Sequence, residues 1–141
     1  MEQAKNILHS YLGVTQHMSR QFRNYFGDLN LTFPQALALI MLEEHGDMPI
    51  SRLAQLTGSA NSTVSGIVDR LEKNDLVRRE RSPYDRRIIY VRLTDCYRAM
   101  QAEKPGGISA YFAEVFGNLS EQEQGDIAAA LTRLNRVLEQ A

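Results

Sequence analysis

Two short helical patterns joined by a tight turn constrain the fold of this chain more than any other feature of its sequence. The first pattern carries Leu53 and Leu56 between Ser51, a good N-cap residue, and Gly58, a good helix stop. The second begins near Asn61, and its apolar residues follow the i, i+3, i+4, i+7 spacing of one buried helix face: Val64, Ile67, Val68 and Leu71. The arrangement predicts a helix-turn-helix.

A β-hairpin is predicted directly after these two helices. Leu76 to Arg81 and Arg87 to Leu93 have the composition of strands, and apolar residues alternate along the second of them. The segment between them, Ser82 to Arg86, consists of turn-forming residues. A helix-turn-helix followed by such a hairpin is a winged helix-turn-helix.

Longer helices are predicted on the N-terminal side. Ile7 to Leu29 places apolar residues at steps of three and four, the period of an amphipathic helix. Thr32 to Gln35 forms a capping box, which opens a second helix running to about Glu44. Gly46 to Pro49 then has the composition of a turn.

The C-terminal part is also predicted to be helical. Thr94 can cap a helix that runs through Met100, and Pro105-Gly106-Gly107 should break it before a helical pattern resumes at Ile108. A second capping box at Ser120 opens the last helix. The expected fold class is therefore mainly α with a small β-hairpin, that is, α+β.

Length and composition indicate one folded domain. The chain has 141 residues, of which 43% are hydrophobic and 23% charged. Its N-terminus leads into a polar-interrupted helix, and no apolar run approaches the roughly 18 residues that span a bilayer. We therefore expect a cytoplasmic protein without a membrane partner. The single cysteine, Cys96, excludes an intrachain disulfide and fits a reducing compartment.

The charge distribution points to a polyanionic partner, although the net charge is only −1. The segment from Arg70 to Arg92 carries eight basic and four acidic residues, whereas the rest of the chain has an acidic excess. A basic segment on an acidic body is the electrostatic pattern expected of a local nucleic-acid contact. A charged, solvated surface would give the same composition.

The face of the second short helix that lies opposite its apolar stripe is the first candidate for this contact. Solvent-facing helices usually carry Glu, Lys and Gln, but this face is small and polar. Small side chains let a helix sit deep in the major groove, and hydroxyls and amides can reach base edges. The predicted DNA-contacting residues of this helix are Asn61, Ser62, Thr63, Ser65, Gly66 and, for a phosphate, Arg70.

The tip of the hairpin is the second candidate. Asp85, Arg86 and Arg87 would project from a narrow ribbon, which suits entry into a minor groove, where negative potential attracts guanidinium groups. An unpaired Asp85 would repel phosphates, so we expect it to pair with Arg87, Arg81 or Arg86 and to orient that side chain. A charge-laced hairpin that protects a sheet edge from aggregation is the structural alternative.

These residues resemble the multiple-antibiotic-resistance regulator (MarR) family. The resemblance extends in order and spacing from about Ile50 to Thr94, and the flanking helices fit the family layout. The matching motifs are Leu53-Ala54, Ser62-Thr63-Val64-Ser65, Val68-Asp69-Arg70-Leu71-Glu72-Lys73, Leu76-Val77, Arg79, Asp85-Arg86-Arg87 and Val91-Arg92-Leu93-Thr94.

The resemblance implies a homodimeric transcriptional regulator that binds a pseudo-palindromic operator in double-stranded DNA. Residues 31–94 would form the DNA-binding part, and residues 1–30 and 95–141 the dimerisation helices. It implies that Arg87, positioned by Asp85, enters the minor groove. Family members commonly repress nearby genes and release DNA when a small aromatic or phenolic ligand binds, which makes a repressor with a small-molecule effector the leading expectation.

Three positions depart from the family pattern. Asp75 stands where a glycine usually follows the recognition helix, which predicts an altered turn. Tyr97 and its neighbours lack the glycine often found after the Leu-Thr pair. Pro105-Gly106-Gly107 interrupts a helix that is often continuous in the family.

Other functions have weaker support in the sequence. The three histidines are too scattered for a metal motif, and nothing resembles a nucleophile or phosphate-binding motif, so we expect no metal, no cofactor and no enzyme activity. His17 and Arg20, on the polar side of the first helix, are candidates for holding an acidic effector. The alternatives are a winged-helix module for protein–protein contact and a thiol-based redox sensor acting through Cys96.

Overall fold

The computed structural model describes all residues from Met1 to Ala141 and is mainly helical with one small antiparallel sheet. In chain order the elements are α1 (Glu2–Phe26), a 3₁₀ turn (Gly27–Leu29), α2 (Phe33–His45), β1 (Met48–Pro49), α3 (Ile50–Thr57), α4 (Asn61–Lys73), β2 (Val77–Arg81), β3 (Ile89–Leu93), α5 (Asp95–Ala102), α6 (Gly107–Val115) and α7 (Glu121–Glu139). The predicted fold class is confirmed, although α1 begins five residues earlier than the apolar pattern indicated.

The chain divides into two compact units, Met1–Glu103 and Lys104–Ala141. The first unit holds α1 to α5 and the sheet, and the second holds α6 and α7. No helix in either unit combines the length and the apolar character that crossing a bilayer would require.

The core of the first unit gathers the apolar faces of its helices and sheet. Val64, Val68 and Leu71 of α4 are at most 1% exposed, which confirms three of the four positions of the predicted stripe, and the fourth, Ile67, is half-buried. The other large side chains below 2% exposure are Leu39, Leu53, Leu76, Val77, Val91 and Tyr97. Burial of this one face of α4 leaves its opposite face to solvent, so core packing determines which residues α4 presents.

The helix starts expected from capping residues are confirmed at three positions. Thr32 and Ser120 each form a complete capping box, with Gln35 and Glu123 respectively, and the Thr94 hydroxyl accepts the N–H of Tyr97 at 3.0 Å. The prediction of Ser51 as an N-cap is wrong. Pro49 is the N-cap of α3, because its extended backbone leads directly from the sheet into the helix and leaves Ser51 inside the first turn.

The segment predicted as a turn from Gly46 to Pro49 contains a third strand. Gly46 ends α2 with a φ of 83°, and Met48 and Pro49 then pair with Val91 and Tyr90 of β3. The sheet order is therefore β1-β3-β2. Two residues are too few to show an alternating pattern, and the pairing depends on a strand about 40 positions further along the chain.

The turn after α4 keeps the geometry that a glycine would give it. Asp75 has a φ of 60°, its N–H bonds to the Glu72 carbonyl at 3.0 Å, and the N–H of Leu76 bonds to the Leu71 carbonyl at 2.9 Å. These are the two hydrogen bonds of a Schellman motif. Leu71 and Leu76, the two residues whose apolar contact commonly accompanies this motif, are both fully buried. The predicted alteration of this turn is wrong, because aspartate tolerates the left-handed region.

The predicted helix break at Pro105-Gly106-Gly107 is confirmed. α5 ends at Ala102, and α6 begins at Gly107 after Gly106, which has a φ of 78°. A Cβ on Gly106 would lie 2.6 Å from the Cβ of Ala110, so this N-cap has no room for a side chain.

Candidate nucleic-acid interface

The first two turns of α4 present the small polar surface that the sequence predicted. Asn61, Ser62, Thr63 and Gly66 are exposed, and the space around Gly66 is open. The N-cap of α4 is Ala60, which has no side-chain oxygen to accept a backbone N–H. The first N–H groups of α4 are therefore free to bind an external acceptor such as a phosphate. This feature was not predicted, because Ser59 and Asn61 both have capping side chains and the sequence alone does not show that the N-cap is Ala60.

Arg70 lies further along α4 and is exposed. It has no carboxylate within ion-pair distance, unlike Arg78, Arg79, Arg87 and Arg92. An exposed guanidinium without an acidic partner keeps its full charge available for a polyanion.

Ser65 differs from the other residues predicted to contact DNA because it is half-buried beneath Arg79. The Arg79 Nη2 group lies 3.2 Å from the Ser65 carbonyl oxygen and 3.3 Å from its hydroxyl. The same guanidinium pairs with Asp69 at 2.8 Å and with Glu72 at 2.9 Å. The Arg79 backbone N–H also donates to Glu72, at 3.0 Å. Arg79 therefore joins α4 to the wing strand β2.

The sequence places Arg79 in a family motif and among the strand arginines expected to attract phosphates, but it does not predict the contacts with α4. A signal was available, because Arg79 and the buried Val77 are two residues apart and share one face of β2. A partly buried guanidinium needs carboxylates or carbonyls around it, and Asp69 and Glu72 lie three residues apart on the preceding helix.

The turn between β2 and β3 is held by a small set of hydrogen bonds centred on Ser82. The buried Ser82 hydroxyl accepts the N–H groups of Tyr84 and Asp85, each at 3.2 Å. The Ser82 N–H donates to the Ile88 carbonyl at 2.9 Å, and the Ile88 N–H donates to the Asp85 carbonyl at 3.0 Å. These bonds fix the backbone from which the tip residues project.

Asp85 pairs with Arg87, which is one of the three arginines predicted as its possible partners. The Arg87 Nε and Nη2 groups donate to the two carboxylate oxygens of Asp85 at 3.0 and 2.9 Å, and the Arg87 backbone N–H donates to the same carboxylate at 3.0 Å. These bonds hold the pKa of Asp85 below its ordinary value and raise the pKa of Arg87. Although it is clamped, the Arg87 side chain is 90% exposed.

The other predicted wing residues surround this pair. Arg81, the last residue of β2, donates from Nη1 to the carbonyl of Arg86 and so braces the tip. Arg86 itself is exposed and has no carboxylate partner. On the strands below, Arg92 is neutralised by Glu80 at 3.0 Å. Arg81 and Arg86 at the tip therefore have no carboxylate partner, whereas Arg92 at the base of the wing is paired.

The candidate effector and redox residues lie outside α4 and the wing, on α1 and α5. His17 and Arg20 are both exposed on α1, three residues apart. Cys96 is exposed in the first turn of α5, beside a shallow depression that Arg78 and Arg92 also line.

Comparison with known proteins agrees with this geometry. The MarR family model matches residues 31–89. An uncharacterised HTH-type transcriptional regulator of Bacillus subtilis, YfiV, is 39% identical over 67 residues, which cover 48% of this chain and 42% of that protein. The matched segment therefore spans less than half of that relative's length.

Two solved structures are similar over nearly the whole chain. A probable transcriptional regulator from Pseudomonas aeruginosa is 31% identical, with a TM-score of 0.76 and coverage of 91% of this chain and 96% of that one. BpsR of Bordetella bronchiseptica, whose DNA binding is regulated by 6-hydroxynicotinic acid, is 25% identical, with a TM-score of 0.74 and coverage of 92% and 98%. The chain therefore belongs to the MarR family of winged helix-turn-helix, DNA-binding transcriptional regulators.

Proposed function

We propose that this protein is a sequence-specific repressor that binds its operator as a homodimer, with α4 in the major groove and Arg87 in the adjacent minor groove. The observation that carries the proposal is the clamp between Asp85 and Arg87. It holds a fully charged guanidinium in one orientation at a rigid tip while leaving 90% of the side chain exposed. Such a group is ordered before binding and can enter a groove of negative potential without losing much further freedom.

The exposed start of α4 supplies the base contacts in this proposal. Asn61, Ser62 and Thr63 offer amide and hydroxyl groups, and Gly66 allows close approach of the helix to the floor of the groove. The uncapped N–H groups after Ala60 and the free guanidinium of Arg70 bind phosphates on either side. Arg81 and Arg86 add positive charge at the tip of the wing.

The homodimer is supported by exposed apolar side chains on helices of both units. On α1, Ile7, Leu8, Tyr11, Leu12 and Val14 are each at least 50% exposed. On α7, Ile127, Leu131, Val137 and Leu138 are each at least 48% exposed. Apolar stripes of this kind in a regulator of a typically dimeric family favour burial against a second copy of the chain. Two recognition helices would then read half-sites about one helical turn apart.

Release by a small aromatic or phenolic ligand is the second part of the proposal. BpsR responds to 6-hydroxynicotinic acid, an aromatic carboxylate. In this chain His17 and Arg20 provide neighbouring imidazole and guanidinium groups on α1 that can hold a carboxylate. We expect 6-hydroxynicotinic acid or a phenolic carboxylate to weaken DNA binding, and His17→Ala and Arg20→Ala to reduce that response. Gln16→Ala, at an exposed neighbouring position on α1, is the matched control.

Arg87→Ala tests the wing directly. The probe is a duplex selected from a random pool by the wild-type protein, with affinity measured by fluorescence anisotropy at several salt concentrations. Loss of a groove contact of this kind weakens binding about tenfold to hundredfold and lowers the logarithmic salt slope by about one for each arginine removed. Arg98→Ala, which removes the same charge from an exposed position on α5, is the control and should change affinity less than about twofold.

The alternatives predict different outcomes. A winged-helix module for protein contact would select no duplex and would show no salt-dependent DNA binding. A selected duplex that Arg87→Ala binds as tightly as the wild type does would contradict the minor-groove role of the wing. A mass equal to one chain in sedimentation equilibrium, at concentrations where the duplex is bound, would contradict the homodimer.

A further inference from the structure

The Arg79 side chain, on β2, contacts three residues of α4: Ser65, Asp69 and Glu72. We propose that Arg79 is a positioning residue that fixes the recognition helix against the wing, so that α4 and Arg87 reach the DNA as one rigid unit. The inference rests on the proposed function, because it assumes that both elements contact one duplex.

The geometry requires a guanidinium. Nη1 reaches Glu72 at 2.9 Å, while Nη2 reaches Asp69 at 2.8 Å and the Ser65 carbonyl at 3.2 Å. The three acceptors occupy successive turns of α4, so one guanidinium holds residues that lie up to seven positions apart along the helix. A lysine carries its three N–H donors on a single nitrogen, so it cannot place two donor nitrogens side by side as the planar guanidinium does.

The contacts of Arg79 are largely shielded from solvent, which strengthens them relative to a surface ion pair. The Arg79 side chain is 23% exposed, and its neighbour two residues earlier, Val77, is 1% exposed and packed in the core. Arg78, on the opposite face of the same strand, is 65% exposed and has only a 3.4 Å contact with Asp75. Ion pairs that exposed contribute little, so the two adjacent arginines form a natural pair of test and control.

The contact also solves an electrostatic problem. Asp69 lies on the polar side of α4, where an uncompensated carboxylate would repel the DNA backbone, and Glu72 follows one turn later. Arg79 binds both carboxylates, so the network as a whole carries one negative charge in place of two. Without Arg79, the recognition helix would present two unpaired carboxylates near the duplex and would lose its link to the wing.

The test is a mutant cycle on DNA affinity. Arg79→Ala and Arg79→Lys are each combined with Arg87→Ala, and binding is measured to the selected duplex and to a shuffled duplex of the same length and composition. If Arg79 holds the two elements in register, Arg79→Ala should weaken binding to the selected duplex about tenfold or more. Binding to the shuffled duplex should change less than about threefold, because unspecific binding needs only charge near phosphates.

The coupling term separates positioning from simple stabilisation. We expect the loss caused by Arg87→Ala to shrink at least about threefold when Arg79 is already replaced, because a misplaced wing gains little from its arginine. Arg79→Lys should behave like Arg79→Ala in this cycle while retaining its charge and giving a native circular dichroism spectrum. Arg78→Ala should leave the effect of Arg87→Ala unchanged.

The outcomes distinguish this inference from the proposed function. If Arg87→Ala costs the same factor in wild-type and Arg79→Lys backgrounds, the positioning role is overturned although the wing contact stands. An equal loss on the selected and shuffled duplexes overturns it as well. If Arg87→Ala has no effect in any background, the proposed wing contact fails first, and the positioning role falls with it.

Discussion

Replacing Asp85 with alanine separates two physical accounts of the wing that predict opposite changes in DNA affinity. Asp85 is an acidic residue at the tip of an otherwise basic loop, so a purely electrostatic account predicts that its removal strengthens binding. In the structure, however, both carboxylate oxygens hold Arg87, and the carboxylate also accepts the Arg87 backbone N–H. The clamp account therefore predicts that Asp85→Ala weakens binding even though it makes the loop more positive.

The size of the expected loss follows from the exposure of Arg87 and its dependence on Asp85. Arg87 is 90% exposed and has no other partner, so its order depends on Asp85. Ordering a free arginine side chain reduces its accessible rotamers by a factor of roughly ten to thirty. If the clamp supplies half of the corresponding free energy before DNA binds, its loss weakens binding about fourfold per wing. Removing one partly exposed carboxylate near a phosphate gains less than about twofold per wing at physiological salt. For a dimer with two wings, the net expectation is binding about fourfold to sixteenfold weaker.

The assay is fluorescence anisotropy with the selected duplex at three salt concentrations. The salt slope of Asp85→Ala should equal that of the wild type, because the same arginines neutralise the same phosphates. Asp85→Asn keeps one acceptor oxygen, so its DNA affinity should lie between those of the wild type and Asp85→Ala. Affinity equal to or tighter than wild type for Asp85→Ala would refute the clamp account, and a changed salt slope would show that Asp85 alters how many phosphates are contacted.

Three further predictions concern pH and stability. The Arg87-dependent part of DNA affinity should stay constant from about pH 8 to pH 5 and fall only in more acid solution, because the lowered pKa of Asp85 keeps the carboxylate charged until the pH drops through that value. In thermal unfolding, Asp75→Gly should stabilise the protein by about 0.5 kcal/mol and Asp75→Ala should destabilise it by about 1 kcal/mol, because only glycine relieves the left-handed backbone; equal stabilities would argue against strain at this turn. Ser120→Ala should cost about 1 kcal/mol by removing the cap of α7, whereas Ser109→Ala on the exposed surface of α6 should cost less than about 0.5 kcal/mol.

Much of the fold could be predicted because its signals are local. The stripe of α4 is read from a spacing of three and four residues, and the capping boxes at Thr32 and Ser120 each involve two residues three positions apart. The hairpin follows from alternation and turn residues. Each of these signals depends on backbone geometry within a few residues, so a single sequence carries it without further information.

The errors of prediction have equally physical causes. The sequence predicts a turn at β1, because Met48 and Pro49 form a strand only through pairing with Val91 and Tyr90, and no local pattern indicates that pairing. Ser51 has good capping chemistry, but its position relative to the sheet places the helix start at Ile50. Asp75 was expected to alter a turn that the buried contact of the flanking leucines maintains.

The helix-turn-helix with its wing is what the sequence by itself determined, together with the small polar face of α4 and the candidate residues at the wing tip. The tertiary structure decided which of these groups already have partners within the protein. Asp85 pairs with Arg87 and not with Arg81 or Arg86. Ser65 lies beneath Arg79, and Arg79 links α4 to β2. The reason is that ion pairs and buried hydrogen bonds depend on distances between segments, and those distances exist only once the core has packed.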